Sequence, residues 1–258
     1  MVFEYLEYDL TGILDTPEIR FTAEHIKSWA RQLLTGVHVM HTNNILHRDL
    51  KPANLLINKR GELKIADWGL ARSWNGEKGG RLTPTVITLW YRPPELLLGS
   101  RAYSSKIDLW SVGCIIAEMF LRKGLFKGKD EAMQLSLIFK ILGHPTVEQW
   151  PGLKKCPLWT KVSPEPSAVL PNRFREVMMK GAKNPKWLTD NALSMMSELL
   201  HYDPDQRASA SKALDAEYFF EDPVVKEASK LSMNFAVQSI HEWDCHRKYE
   251  AAHQAIRK

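Results

Sequence analysis

HRDLKPANLLINKRGELKIADWG, residues 47–69, decides how the rest of the chain is read. It opens on a polar loop, His47 to Asn54, and closes on the turn Asp67-Trp68-Gly69. Between them, the apolar stretches LLIN and ELKIA flank Lys59-Arg60-Gly61. Two short strands around a glycine-bearing turn are the expected outcome. Asp49 and Asn54 stand five apart on the loop, so both can face one site from different directions. Taken singly, Asp49 ahead of Pro52 and Asp67 ahead of Gly69 also read as turn residues.

Order and spacing favour chemistry over turns. Residues 47–54 match H-R-D-L-x-x-x-N, and Asp67 follows thirteen residues after Asn54. Pro93-Pro94-Glu95 comes later in the chain. On these motifs together, residues 1–222 resemble a eukaryotic protein kinase. The resemblance implies the C-terminal (large) lobe of the protein kinase-like fold, mainly α, with a small β-hairpin at the catalytic loop. It also implies ATP and Mg²⁺. Phosphoryl transfer rests on positioning and charge neutralisation more than on covalent help. By resemblance, Asp49 accepts or orients the proton of the attacking hydroxyl, Lys51 reaches the transferring phosphate, and Thr88 orients the loop. Asn54 and Asp67 would hold Mg²⁺, a hard cation that takes few protein oxygens beside substrate phosphates.

MVFEYLEYDL, residues 1–10, reads on its own as an edge strand turning acidic at Glu7 and Asp9. It also resembles the hinge between kinase lobes. On that match Phe3 is the gatekeeper, the backbone of Glu4 and Leu6 binds adenine, Asp9 lies near the ribose, and Leu56 forms the floor. The family carries its Gly-rich loop, β3 Lys and αC Glu in a small lobe before the hinge. Residues 1–258 hold no GxGxxG. The expectation is therefore an absent N-lobe and a chain inactive alone, divided as a hinge remnant (1–8), the kinase C-lobe (9–222) and a basic, partly helical tail (223–258).

Leu70 to Leu82, with three glycines and several charges, reads as a mobile loop. By resemblance it is part of the activation segment, with Thr83 a phosphosite clamped by Arg48 and Arg72; an unmodified loop threonine is the plain alternative. TLWYRPPELLLG, residues 88–99, resembles cyclin-dependent and mitogen-activated kinases. There Arg92, with Ile87, shapes a pocket for proline after the target Ser or Thr, and Lys51 supports Ser/Thr specificity. RLTPTV lacks the Thr-x-Tyr of the mitogen-activated group, which weakens that alternative. The phrases MVFEYLEYDLTGIL, KALDAEYFFEDP and SIHEWDCHRKYEAAHQAIRK resemble transcription-elongation cyclin-dependent kinases, which act on the repeated tail of RNA polymerase II. That implies a cyclin partner and a nuclear location. The rival from another class is a truncated lobe that binds partners without phosphorylating them.

Elsewhere the pattern is helical. Ile26, Trp29, Ala30, Leu33, Leu34, Val37 and Met40 form one apolar stripe after Thr22, a natural N-cap. Helices are expected over residues 131–142, 189–200 and 209–220, with an extra loop at 181–187. Asp108 opens an apolar helix and by resemblance ties the catalytic loop as scaffold; Glu95 would pair with Arg207. The net charge of +5, 35 basic against 30 acidic residues, is too mild to imply direct nucleic-acid binding. Cys114, Cys156 and Cys245 show no metal spacing and point to a reducing compartment. No apolar run reaches the roughly 18 residues of a membrane span.

Overall fold

In a computed structural model of the chain, residues 4–74, 86–162, 169–231, 235, 239–242 and 244 are described. Phe3, Thr83 and Cys245 lie outside them. The chain enters through β1 (Tyr8–Asp9) and α1 (Leu10–Asp15). The strand expected over the first residues starts later, at Tyr8, where pairing begins. Asp9 ends it by capping α1, its carboxylate accepting the Gly12 N–H at 2.7 Å.

α2 (Ala23–Thr42) follows as expected, with Thr22 as N-cap and His25 completing a capping box. The stripe from Ile26 to Val37 is buried. β2 (Ile45–Leu46) leads into the catalytic loop, and β3 (Leu55–Ile57) and β4 (Leu63–Ile65) form the expected antiparallel hairpin. β1 joins β3 antiparallel, Asp9 opposite Leu56, giving the sheet order β1-β3-β4. Gly61 permits the turn because its φ is +77°. β5 (Arg72–Ser73) pairs antiparallel with β2, placing Arg72 opposite Leu46.

α3 (Pro94–Leu97) precedes α4 (Lys106–Leu121), which is buried along almost its whole length. A helix apolar on every side belongs at the centre of a lobe. α2 and α8 (Asp190–Leu199) pack against it. Before α8 come α5 (Glu131–Leu142), α6 (Trp159–Val162) and α7 (Phe174–Gly181); α9 (Ala210–Leu214) comes last. The helix expected over 209–220 is shorter, breaking at Asp215 into a separate turn at Glu217–Phe219. The extra loop at 181–187 holds a short turn, Pro185–Trp187, capped by Asn184.

The tail returns to the entry. Ile240 N–H donates to the Glu7 carbonyl at 3.0 Å, and Asp9 N–H donates to the Ile240 carbonyl at 3.3 Å. Ile240 is 1% exposed, and Phe235 packs edge-on to Tyr8. No helix among the described residues is long and apolar enough to cross a membrane.

Candidate active site

The catalytic loop is hung from α4. The buried Asp108 carboxylate accepts the backbone N–H groups of His47 and Arg48, each at 3.0 Å, and lies 2.9 Å from His41 Nε2. Arg48 takes the left-handed conformation at φ 66°, which aims successive N–H groups at one carboxylate. Asp108 is thus scaffold, and so is His41.

Beyond this anchor the loop turns Asp49 inward. Asp49 Oδ1 accepts from the Thr88 hydroxyl at 2.8 Å and the Thr88 N–H at 3.1 Å. Lys51 Nζ lies 3.0 Å from Oδ2. Asn54 Nδ2 donates to the Asp49 carbonyl at 2.9 Å and approaches Oδ2 at 3.4 Å. Burial pushes the Asp49 carboxyl up, but the hydrogen bonds from Thr88 and Lys51 outweigh it and hold the group below the usual carboxylate range. Asp49 is therefore ionised at neutral pH.

The chemistry of the donor set suits Mg²⁺. Asn54 uses its amide NH₂ on Asp49, so its carbonyl oxygen has no hydrogen bond among the described residues. Asp67 is exposed, left-handed at φ 59°, and among the described residues its side chain accepts only the Gly69 N–H, at a long 3.4 Å. Two oxygen ligands leave the other positions to phosphates and water, as Mg²⁺ prefers. No cluster of three or more His, Cys, Asp or Glu that could hold a metal occurs among the described residues. Trp68, 47% exposed, sets its ring edge-on to His47 with centroids 5.2 Å apart.

The other expected site residues divide. Leu56 sits on β3 opposite Asp9 of β1, and Glu4 in the entry segment lies 3.4 Å from Lys64 of β4. Asp9, the residue expected near a ribose, is engaged within the chain. It is 4% exposed and both carboxylate oxygens are engaged, Oδ1 by Gly12 N–H and Oδ2 by Glu242 N–H at 2.6 Å. Helix capping and the returning tail compete for the same oxygens a ribose would need. Arg48 Nε donates to the Leu70 carbonyl at 2.8 Å, and Arg72 is exposed on β5 nearby. Their expected phosphate partner, Thr83, lies outside the described residues.

Ile87 carries the clearest backbone outlier, φ +69° on a β-branched residue. Its carbonyl accepts from Arg92 Nε at 3.2 Å and Nη2 at 3.0 Å, and the Val86 carbonyl accepts from Arg92 Nε at 3.1 Å. Glu131 holds Arg92 Nη1 at 2.6 Å. Arg92 thus engages both the Val86 and the Ile87 carbonyls. Glu95 and Arg207 form the expected bidentate pair, 2.8 and 2.9 Å, fully buried.

Sequence reasoning missed the Glu118–Tyr91 contact, 2.8 Å from the tyrosine hydroxyl to the carboxyl. A lone acid inside the apolar run of α4 was the available signal. Burial pushes the Glu118 carboxyl up to about 7, against the Tyr91 hydrogen bond. Also unforeseen is Arg122, which donates to the carbonyls of Ile13, Leu14, Thr16 and Ile19 and so pins α1 to α4.

The chain is similar to known proteins along nearly its whole length. The protein kinase domain profile matches residues 1–219. Cyclin-dependent kinase C-2 of Oryza sativa subsp. japonica is 45% identical over 254 residues, covering 98% of this chain and 45% of that protein. The chain spans about half the length of the curated relatives it matches. Among solved structures, the yeast RNA Pol II CTD kinase CTDK-1 complex superposes with a TM-score of 0.81 at 39% identity, over 88% of this chain and 72% of that one. The CAK complex of Chaetomium thermophilum bound to ATP-gamma-S gives 0.80 at 38% identity, over 88% and 69%.

Proposed function

The chain belongs to the protein kinase family, in its cyclin-dependent branch, and on that premise we propose that it supplies the large-lobe half of a serine/threonine kinase directed to Ser/Thr-Pro sites. The observation that carries the reading is the Asp49 carboxylate, ionised and held between Thr88 and Lys51 with Asn54 behind it. In this reading Asp49 orients the substrate hydroxyl and accepts its proton as the oxygen attacks the γ-phosphorus of ATP, the bond from that phosphorus to the β,γ-bridging oxygen breaks, and ADP leaves. Lys51 meets the charge on the transferred group. Asn54 and Asp67 would hold Mg²⁺, which supplies neutralisation of the phosphate oxygens. Ile87 and Arg92 select proline after the target residue. Glu4 and Leu6 offer backbone to adenine over Leu56, and Asp9 turns to the ribose only by giving up Glu242.

The Gly-rich loop and β3 Lys of the family belong to its small lobe, and residues 1–258 show no GxGxxG. We assign residues 1–8 to the hinge, 9–222 to the large lobe and 223–258 to a tail, and transfer as proposed needs the small lobe in addition. The likeness to a CTD kinase favours the repeated Ser-Pro tail of RNA polymerase II as substrate, a cyclin as partner and the nucleus as location. Thr83 would be the phosphosite, its phosphate paired by Arg48 and Arg72. The test is a kinase assay on a version carrying a family small lobe and a cyclin, with Ser-Pro and Ser-Ala repeat peptides. Incorporation into Ser-Pro alone, lost in Asp49→Asn with the fold intact, is expected; transfer that survives Asp49→Asn overturns the assignment. Residues 1–258 alone should give negligible turnover. Binding of repeat peptide without turnover in both forms would favour the interaction-module reading.

A further inference from the structure

Residues 86–92 carry Thr88, which sits on Asp49, and Arg92, which holds the Val86 and Ile87 carbonyls. Side chains from two helices pin this stretch from behind. Gln134 of α5 donates to the Trp90 carbonyl at 3.2 Å, and Ser111 of α4 donates to the Tyr91 carbonyl at 2.9 Å. The Trp90 indole N–H donates to the Gly128 carbonyl at 3.0 Å. A further clamp is Glu118 of α4, whose Oε2 accepts from the Tyr91 hydroxyl at 2.8 Å.

Unlike the amide and hydroxyl clamps, this one titrates. Glu118 is 9% exposed, and burial pushes its carboxyl up to about 7. Asp15 at the end of α1 adds to the rise, and Lys127, between α4 and α5, opposes it. Tyr91 and Cys114, the latter one turn back on α4, are themselves pushed well up by burial, so both stay protonated. Glu242 of the tail raises Tyr91 further. Lys127 also lies over the Trp90 ring, 4.5 Å from its centroid. Glu118 therefore meets the stretch at two points, the Tyr91 hydroxyl directly and the Trp90 ring through Lys127. Its Oε1 accepts from none of the described residues, so a proton taken there leaves the Tyr91 bond in place but neutral. A hydrogen bond to a carboxylate is roughly twice as strong as one to a neutral partner. Ionised Glu118 thus grips Tyr91 more firmly, although its ionisation costs the lobe as a whole through desolvation.

We propose that Glu118 is a proton-operated positioning residue for residues 88–92: as a carboxylate it holds Tyr91 and its neighbours in place, and on taking a proton it lets them loosen. Linkage makes the effect reciprocal. The Tyr91 bond favours the ionised form of Glu118, so losing that bond must move the titration of Glu118 to higher pH. What the coupling does for transfer rests on the kinase reading, in which Thr88 at one end of the stretch serves Asp49 and Arg92 at the other serves the substrate. Acid would then loosen both ends together. The coupling itself involves no nucleotide and no turnover, so it stands or falls separately from that reading.

The test uses the 258-residue chain labelled with 5-fluorotryptophan, the Trp90 and Trp110 resonances being assigned by Trp90→Phe and Trp110→Phe. Fluorine spectra are recorded between about pH 5.5 and 8.5. The Trp90 signal should move along a single step with its midpoint near 7, while Trp110, two turns earlier on α4, stays in place. Glu118→Gln, which keeps an acceptor for Tyr91 and cannot titrate, should abolish the step. Tyr91→Phe removes the hydroxyl but leaves Lys127 on Trp90, so the step should remain and its midpoint rise by up to about one pH unit. A Trp90 signal that is flat across this window, a step shared by Trp110, a step that survives Glu118→Gln, or a midpoint unmoved or lowered by Tyr91→Phe overturns the proposal.

Discussion

The residue with the most convergent evidence is Asp49, and the group that tunes it is Thr88. Two hydrogen bonds from Thr88 and one ion pair from Lys51 offset the burial that would otherwise protonate the carboxyl. Because the folded group titrates below its ordinary value, its contribution to stability is present above the unfolded pKa and fades as pH falls through the folded one. The same depression keeps the proposed base ionised into the acid range. Thr88→Ala removes the hydroxyl donor and keeps the backbone one. A hydrogen bond to a charged group is worth about 1.5–3 kcal/mol. In the complete kinase, kcat should therefore fall roughly ten- to hundredfold, and the acid limb of the pH–rate profile should move to higher pH. An unmoved limb would mean that Thr88 does not tune Asp49. At this scale the sequence was most legible, because a loop motif names each chemical group directly. Asp9 was not, since what occupies its two oxygens is a helix start and a segment over two hundred residues away.

Elements were readable where one face of a pattern meets one partner. The stripe of α2 and the span of α5 came out as read, because a period of 3.6 leaves little choice. The uniformly apolar α4 carries no such directional signal, so the use of Glu118 could not be read from it. Glu118 is pushed up to about 7 by burial, with Asp15 adding to the rise and Lys127 opposing it. A raised carboxyl gives stability that is complete below its unfolded value and lost as pH rises through about 7. Glu118→Gln, which still accepts from Tyr91, should remove that loss. Chemical denaturation should find the variant more stable than the parent at pH 8 by about 1–3 kcal/mol, at ~1.4 kcal/mol per pKa unit, and close to it at pH 4.5. A constant difference across that window would mean that Glu118 does not titrate there. The Glu95–Arg207 pair joins α3 to the segment after α8, and here charge neutrality of the variant decides the sign. Arg207→Met alone leaves a buried carboxylate and should cost about 3–5 kcal/mol. Arg207→Met with Glu95→Gln should recover part of this; a double variant as unstable as the single would show that packing, not the stranded charge, dominates.

At the scale of the whole molecule, the least legible feature is the return of the tail to the entry segment. Residues 223–258 read in sequence as solvated, partly helical chain, since six basic and four acidic residues carry no packing pattern. The structure instead seals Ile240 against Tyr8 and ties Glu242 to Asp9. Gly12 makes this approach possible. A Cβ there would stand 2.9 Å from the Ile240 carbonyl oxygen and 3.1 Å from its carbon. Within a helix, however, alanine is better than glycine by about 1 kcal/mol. The two effects have opposite signs and depend on different parts of the chain. Gly12→Ala in the full chain should be destabilising, because the backbone of the tail must move off α1 and the Asp9 contact with it. In a chain ending at Leu231 the same substitution should be stabilising by up to about 1 kcal/mol, since only helix propensity remains. Urea denaturation of the four chains measures this reversal directly. A substitution with the same sign in both lengths would mean that the tail does not rest on α1 in solution, leaving Asp9 Oδ1 on its helix cap and Oδ2 without Glu242.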